Sequence, residues 1–186
     1  MSVDSKEYPL EREWSVWING PAKPTSKSQR SKKFESPPPK FIGSFNYVHG
    51  MWQWMNSLPT PKHMTDDSNI HLFQHDIAPV WEHPANSKGG RWMYSIPTDS
   101  DELAATAWQN LYLGVIGETL DPGSEIAGVV LARRRNYTRL SIWTKNRFNA
   151  KEINLIGERV KANLPNSVKL EYQDHKAEFG TYRYTM

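Results

Sequence analysis

Two adjacent side chains, Trp81 and Glu82, offer the most distinctive chemistry in this sequence. They lie in APVWEHPANSKGGRW, where Pro, a polar stretch and a Gly pair indicate an irregular segment. A flat indole beside a carboxylate suits a ligand with an aromatic face and an edge of N–H donors. A guanine edge presents two such donors, and one carboxylate can accept both, at ~1.5–3 kcal/mol per charged hydrogen bond. A positively charged ring would gain up to ~2 kcal/mol more from the indole face.

A second group of residues has the chemistry to hold phosphates. The run RRRNYTRLSIW predicts two strands joined by a tight turn. Arg139, Ser141 and Trp143 share one face of the second strand by the strand period of two, and Arg134 lies near the turn. Taken alone, an Arg-rich hairpin favours a solvated turn. Beside the Trp-Glu pair, it indicates a site for a cationic purine with a phosphate tail.

The composition excludes several classes of protein. The chain has 186 residues and no Cys, which suits one domain and excludes disulfides and thiolate metal sites. No window approaches the ~20 apolar residues of a membrane span, and the first residues lack a signal-peptide pattern. A net charge of +3 permits an anionic partner, and eight Trp favour a stacking site. We expect a cytoplasmic protein, with the nucleus as an alternative location.

The sequence lacks the common catalytic motifs. It contains no Gly-rich phosphate loop, no HExxH and no GxSxG, and nothing pairs a nucleophile with a base. His71 and His75 are predicted to point the same way at the surface of a strand, without a third ligand for a metal. We therefore expect a binding protein without a cofactor, not an enzyme.

The predicted elements favour an α+β architecture. Strands and helices alternate with mostly short connections, which is typical of an antiparallel sheet with helices on one face. Residues 13–18 predict the first strand, after a flexible N-terminal arm over residues 1–12. Residues 19–40 contain five Pro, six Lys or Arg and one acid, and predict a long basic Pro-rich loop. We predict one domain over residues 1–186.

Two helices have the clearest sequence signals. Asp99 with Glu102, and Asn149 with Glu152, have the spacing of helix capping boxes. Each pair precedes an apolar stripe at helical spacing. The stripes are Ala104, Ala107, Leu111 and Val115 in one helix, and Ile153, Ile156, Val160 and Leu164 in the other.

Five segments, in order, resemble the messenger-RNA cap-binding translation initiation factor 4E family. They are YPLEREWSVW, FNYVHGMWQWMN, IAPVWEHPANSKGGRW, AWQNLYLGVIGE and LSIWT, within residues 8–175. Their order and Trp spacing make the resemblance specific. It implies a curved antiparallel sheet of about eight strands, three helices packed on the convex face, and a cap slot on the concave face.

The resemblance implies a role for each residue of the cap site. Trp81 matches the stacking Trp, Glu82 the carboxylate that reads the guanine edge, and Trp143 the Trp that contacts the N7 methyl group. The implied phosphate-binding residues are Arg134, Arg139 and, acting indirectly, Arg91. The other Trp of the family's cap sandwich has no Trp counterpart in this chain. Phe34 is the nearest aromatic residue by spacing, and Phe41 is the fallback. Four further Trp match structural residues of the family: Trp14, Trp17, Trp92 and Trp108.

A docking patch for a protein partner is also implied. Its residues are Tyr8, Pro9, Val48, Trp52, Gln109, Asn110 and Leu113. Such a patch would receive a helix with a Tyr-x-x-x-x-Leu motif, from the scaffold initiation factor 4G or from a repressor. Simple burial is the alternative explanation of Trp52. The implied partners are therefore capped messenger RNA and this scaffold or repressor, with no membrane, and the protein is expected to be a monomer alone.

Several positions depart from the family pattern. Gln109 and Asn110 replace the usual Leu and Glu, Arg139 replaces the usual Lys, and Asn136 replaces a lysine of the basic hairpin. The leading hypothesis is a protein that binds the 7-methylguanosine cap and recruits a scaffold factor to start translation. The alternative is a divergent paralogue that represses translation or serves a specially modified cap. A remote alternative is a carbohydrate-binding or cap-processing module, with Glu82 as a general acid.

Overall fold

The computed structural model describes residues 8–21, 37–121, 124–178 and 180–186. Within these ranges the chain forms eight strands and three α-helices. The strands are β1 (Pro9–Asn19), β2 (Lys40–Tyr47), β3 (Asn69–Gln74), β4 (Gly90–Pro97), β5 (Ile126–Arg133), β6 (Tyr137–Thr144), β7 (Glu171–Asp174) and β8 (Tyr184–Thr185). The helices are α1 (Val48–Ser57), α2 (Asp101–Ile116) and α3 (Ala150–Lys161), with short 3-10 turns at Pro61–His63 and Thr98–Ser100.

The strands form one curved sheet in the order β2-β1-β3-β5-β6-β4-β7-β8. Every neighbouring pair is antiparallel, which confirms the predicted α+β class. None of the helices in the described part of the chain is long and apolar enough to cross a membrane.

The two faces of the sheet carry different side chains, because successive strand residues point to opposite faces. On one face, strand residues such as Trp92, Ile142 and Leu131 join buried residues of all three helices in the main core. On the other face, a small cluster of buried side chains contains no residue from α1, α2 or α3. Its members are Phe73, Ile77, Ala127, Val130 and Trp143. We call this second surface the helix-free face.

Both predicted helical stripes pack into the main core. In α2, all four members of the stripe are buried: Ala104, Ala107, Leu111 and Val115. In α3, the buried members are Ile153, Ile156 and Val160. Leu164 lies beyond the end of α3 and packs against the core. Three of the four structural Trp, Trp14, Trp92 and Trp108, are buried. The indole N–H of Trp92 donates a 2.8 Å hydrogen bond to the Ile153 carbonyl. Trp17 is only half-buried.

Both predicted capping boxes are wrong. Asp99 lies in a 3-10 turn, and α2 begins at Asp101 after Ser100, whose side chain makes no capping hydrogen bond. Asn149 does precede α3, but its amide donates to the Glu125 carboxylate at 3.3 Å instead of capping the helix. The local sequence pattern assigns the Asn149 side chain to the helix end, but in the structure this side chain binds Glu125, which is distant in the sequence.

The predicted arm and the first strand also need correction. β1 begins at Pro9, so residues 9–12 belong to the sheet, and Pro9 pairs with Tyr47 of β2. The two-residue strand β8 was not predicted, because two residues show no period. Residues 1–7 of the predicted arm and residues 22–36 of the predicted loop, including Phe34, lie outside the described residues.

Candidate functional site

Trp81 and Glu82 lie in the segment that joins β3 to β4. The side chain of buried Asn86 holds this segment, donating hydrogen bonds to the carbonyls of Ala78 and Val80 at 3.0 and 2.9 Å. The segment also approaches the sheet closely at Gly89, where a Cβ would lie 1.8 Å from the Thr144 carbonyl oxygen. The loop is therefore anchored on both sides of the Trp-Glu pair. Both side chains are exposed, with 49% of the Trp81 surface accessible.

The face of Trp81 already attracts a cation. The Lys176 ammonium lies 5.9 Å from the centroid of the Trp81 ring. A cation over an indole face is stabilised by the negative charge density of the ring. The sequence reasoning did not identify Lys176. The available signal was the His175-Lys176 pair, which directly follows β7.

Trp143 lies at the floor of the helix-free face. It packs edge-on against Phe73, with ring centroids 5.4 Å apart, and the His175 ring lies 4.1 Å from its own. Only 8% of Trp143 is exposed, which leaves a small part of its surface for a ligand. His175 is a second residue that the sequence reasoning missed.

Arg91 lies directly opposite Trp143 in the register of β4 and β6. One terminal nitrogen donates to Gln173 at 3.3 Å, whereas its Nε is buried without a hydrogen-bond partner among the described residues. Burial, followed by the charge of Arg139, lowers the pKa of Arg91. Arg91 thus adds positive charge next to Trp143 from a half-buried position.

Arg134 and Arg139 flank the end of the β5–β6 hairpin. Arg134 donates to Asn69 Oδ1 at 3.0 Å and to the Arg133 carbonyl at 2.6 Å. Arg139 donates to the Tyr137 hydroxyl at 3.3 Å, and its guanidinium lies 5.0 Å from the Tyr137 ring centroid. Because these contacts hold both side chains in place, less conformational entropy is lost when an anion binds.

The surface position predicted for His71 is wrong. His71 is 6% exposed, and its Nε2 lies 2.7 Å from Asn19 Oδ1. The reason is that neighbouring side chains pack against it, Asn19 from β1 and Phe73 two residues further along β3. His75, one residue beyond the end of β3, is exposed.

The buried His71 and the half-buried His175 should make the protein less stable in acid. Burial is the main cause that lowers each pKa from 6.5 to about 3, and Arg134 acts further on His71 as Arg91 does on His175. Below pH 6.5 the unfolded chain binds these protons, whereas the folded protein binds them only near pH 3. Their contribution to stability is therefore complete above pH 6.5 and is lost progressively toward pH 3.

Urea unfolding at a series of pH values would measure this loss as a falling free energy of unfolding. The His175→Gln variant should show a shallower dependence on pH. An equal slope in the variant and the wild type would contradict the role of His175.

On the helical side, part of the predicted docking patch comes together. The backbone N–H of Val48 donates to the Tyr8 carbonyl at 2.9 Å, which places β1 against the start of α1. Trp52, one helical turn after Val48, is 41% exposed, which argues against simple burial. Trp52 and Gln109 line one cleft between α1 and α2.

The rest of the patch lies on the neighbouring side of α2. Asn110 and Leu113 line a second cleft, between α2 and α3. Pro9, like Tyr8, is exposed. The exposed stripe of α2 therefore separates two clefts, with Trp52 and Gln109 in one and Asn110 and Leu113 in the other.

The partner of Trp81 in a cap sandwich stays a prediction. Phe34 lies outside the described residues. The fallback residue, Phe41, is 48% exposed and packs edge-on against Trp17, with ring centroids 5.3 Å apart.

Residues 9–184 of the chain match the family described as Eukaryotic initiation factor 4E. The chain is 35% identical over 184 residues to eukaryotic translation initiation factor 4E of Candida albicans, covering 94% of this chain and 85% of that protein. It is 32% identical over 182 residues to the factor of the same name from Saccharomyces cerevisiae, covering 95% and 80%.

Solved structures have the same fold. A crystal structure of Ascaris suum eIF4E-3 with an m7G cap superimposes with a TM-score of 0.82 at 25% identity, covering 97% of this chain and 98% of that one. A complex of C. elegans eIF4E-3 with the 4E-binding protein Mextli and a cap analog gives 0.82 at 24% identity, covering 97% and 100%. The chain therefore belongs to the eukaryotic initiation factor 4E family.

Proposed function

We propose that this protein binds the 7-methylguanosine cap of messenger RNA on its helix-free face. The observation that carries the proposal is a contact made by two consecutive residues. His175 packs on Trp143 at 4.1 Å, and the Lys176 ammonium lies 5.9 Å from the Trp81 ring centroid. The exposed loop indole and the indole on the sheet therefore both neighbour one dipeptide, and we infer that a single methylated base would reach both.

The chemistry of each group fits a capped nucleotide. The exposed Trp81 face would stack on the cationic methylated base, and Glu82 would accept the two N–H groups of the guanine edge. Arg139 lies on the same sheet face as Trp143, four residues earlier in β6, and Arg134 stands across the hairpin end. The phosphates would run from the base toward these arginines. Structures of Ascaris suum eIF4E-3 with m7G and m2,2,7G caps support this assignment.

The decisive experiment compares methylated and unmethylated ligands. Isothermal titration calorimetry with 7-methylguanosine triphosphate and with GTP should show much tighter binding of the methylated nucleotide, because only its base carries a positive charge. Equal affinity for the two nucleotides would exclude the cap proposal.

Arg139→Ala should weaken binding of 7-methylguanosine triphosphate about tenfold, as expected when one charged hydrogen bond to phosphate is lost. Binding of the nucleoside 7-methylguanosine should stay unchanged, because it has no phosphate for Arg139 to contact. Calorimetric titration of both ligands gives the two values.

Arg159→Ala is the matched control, since it removes the same charge from α3 on the opposite face. An equal loss for nucleoside and triphosphate in the Arg139 variant would contradict a phosphate-binding role.

We further propose that the helical side recruits a protein partner that carries an amphipathic helix. Support comes from the exposed Trp52, the adjoining Tyr8 and Val48, and the cleft that Trp52 shares with Gln109. Exposed aromatic residues beside a groove on two helices suit a helical peptide of the Tyr-x-x-x-x-Leu type.

The nature of this partner distinguishes an initiator from a repressor. Capture on cap resin, followed by identification of the bound protein, would favour the initiator if the partner is a scaffold factor. Recovery of a translational repressor instead would favour the divergent paralogue.

A further inference from the structure

The His175-Lys176 dipeptide lies on a turn that directly follows β7. The backbone N–H of His175 donates to the Gly89 carbonyl at 3.2 Å, which joins this turn to the segment between β3 and β4. The backbone N–H of Ala177 donates to the Asp174 carbonyl at 3.1 Å and closes the turn itself. These two hydrogen bonds hold the backbone of Lys176 beside that segment.

The start of the turn is also fixed by two arginines. Arg183 donates to the Asp174 carboxylate with two nitrogens, from Nε at 2.9 Å and from a terminal nitrogen at 2.5 Å. The Nε of Arg147 lies 3.7 Å from the same carboxylate. A bidentate pair of this kind fixes the orientation of both groups. Because the backbone of the turn is anchored, Lys176 would move by rotation of its long side chain.

The Lys176 ammonium has the Trp81 ring as its contact. It lies 5.9 Å from the ring centroid, and it forms no ion pair with a carboxylate in the part of the chain that the structure describes. Both side chains are exposed, and a cation–π contact that is open to water is weaker than a desolvated one. A flat ligand that excludes water from the indole can therefore displace the ammonium.

Lys176 approaches Trp81 from the side on which a base would bind. The preceding residue, His175, packs on Trp143 with ring centroids 4.1 Å apart, and consecutive Cα atoms are only ~3.8 Å apart. Lys176 therefore starts beside the floor of the helix-free face and reaches the loop indole from there. A purine that contacts both indoles would need the same space.

We propose that Lys176 competes with the cap base for the face of Trp81 and thereby sets the affinity of the site. The ammonium and a methylated purine both carry positive charge, and both are attracted to the negative face of the indole. Binding of the base exchanges one cation for the other, and the Lys176 side chain turns toward solvent. The displacement costs the same for every base, so it lowers affinity without changing the preference for methylation. The inference rests on the proposed stacking role of Trp81.

Lys176→Ala should raise the affinity for the nucleoside 7-methylguanosine about threefold, as expected when one exposed cation–π contact no longer competes. The affinity for guanosine should rise by the same factor, because both bases displace the same side chain. Nucleosides are the suitable ligands, since they have no phosphate for the Lys176 charge to attract. Quenching of tryptophan emission measures both affinities, because the variant retains all eight Trp.

Two further variants test whether the cation itself is responsible. Lys176→Arg keeps a cation that can stack on Trp81, and it should bind both nucleosides no more tightly than the wild type does. Lys151→Ala is the matched control, since it removes the same charge from an exposed position of α3 on the helical side, and it should bind as the wild type does. Unchanged or lower nucleoside affinity in Lys176→Ala, or a gain confined to 7-methylguanosine, would overturn the proposal.

The contact can also be observed by NMR before any nucleotide is added. Side-chain methylene protons of Lys176 should be shifted upfield by the ring current of Trp81, and Trp81→Ala should abolish this shift. Saturation with 7-methylguanosine triphosphate should move these resonances toward those of the other lysines. A shift that persists at saturation would contradict displacement. Wild-type protein that binds GTP and its methylated form equally would instead refute cap recognition, and the competition would then be judged from the gain for guanosine.

Discussion

Trp81→Ala should lower the affinity for 7-methylguanosine triphosphate roughly 100-fold, by removing about 3 kcal/mol of stacking and cation–π attraction. The fold should be unaffected, because the Trp81 ring is 49% exposed and lies on a loop that Asn86 anchors independently. Calorimetry is the appropriate measurement, since the substitution removes a fluorophore at the site.

A comparison with Glu82→Ala separates the two interactions of the base. Glu82 would contact N–H groups that GTP and its methylated form share, so its loss should weaken both ligands by a similar factor. Loss of Trp81 should reduce the preference for the methylated ligand, because only that base carries the positive charge. If Trp81→Ala retains affinity and preference near the wild-type values, Trp81 is not the stacking residue.

Trp52→Ala should abolish most of the binding to a Tyr-x-x-x-x-Leu helical peptide while leaving cap affinity unchanged. Truncating a central aromatic residue of an interface typically costs ~2 kcal/mol or more, which corresponds to at least about a 30-fold weaker complex. Fluorescence anisotropy with a labelled peptide measures the first quantity, and calorimetry with the cap nucleotide measures the second.

The Trp81 variant is the reciprocal control for Trp52. Trp81 and Trp52 are both exposed, but one lies in the loop before β4 and the other on α1. Trp81→Ala should therefore keep peptide binding, and Trp52→Ala should keep cap binding. A Trp52→Ala protein that fails to fold would instead assign Trp52 to the core, and wild-type peptide affinity would remove it from the docking patch.

Predictions that depend on short-range periodicity are confirmed by the structure. The stripes of α2 and α3 repeat at three and four residues, and their members are buried together. The alternation in β6 places Arg139, Ser141 and Trp143 on one face, opposite Ser95, Met93 and Arg91 of β4. The ordered Trp-containing segments were specific enough to identify the family.

Predictions were wrong or missing for side chains whose contacts are distant in the sequence. Asn149 donates to Glu125 instead of capping α3, and His71 is buried against Asn19 instead of facing solvent. The contacts of His175 and Lys176 with the two indoles were not anticipated either. In each case the partner lies at least 24 residues away in the chain. Only the pairing of strands brings such residues together.

The sequence by itself determined which chemistry is present: an indole beside a carboxylate in a loop, and an Arg-rich hairpin whose second strand carries Trp143. The tertiary structure alone decided which of these groups come into contact and which charged side chains have a close partner of opposite charge. It separates Arg133, which forms a close ion pair with Asp101, from Arg134, whose hydrogen bonds go to the Asn69 amide and to two carbonyls, although the two are adjacent in a run of three arginines. The physical reason is that the register and order of the eight strands select each side chain's neighbours, and those neighbours set its charge compensation and exposure.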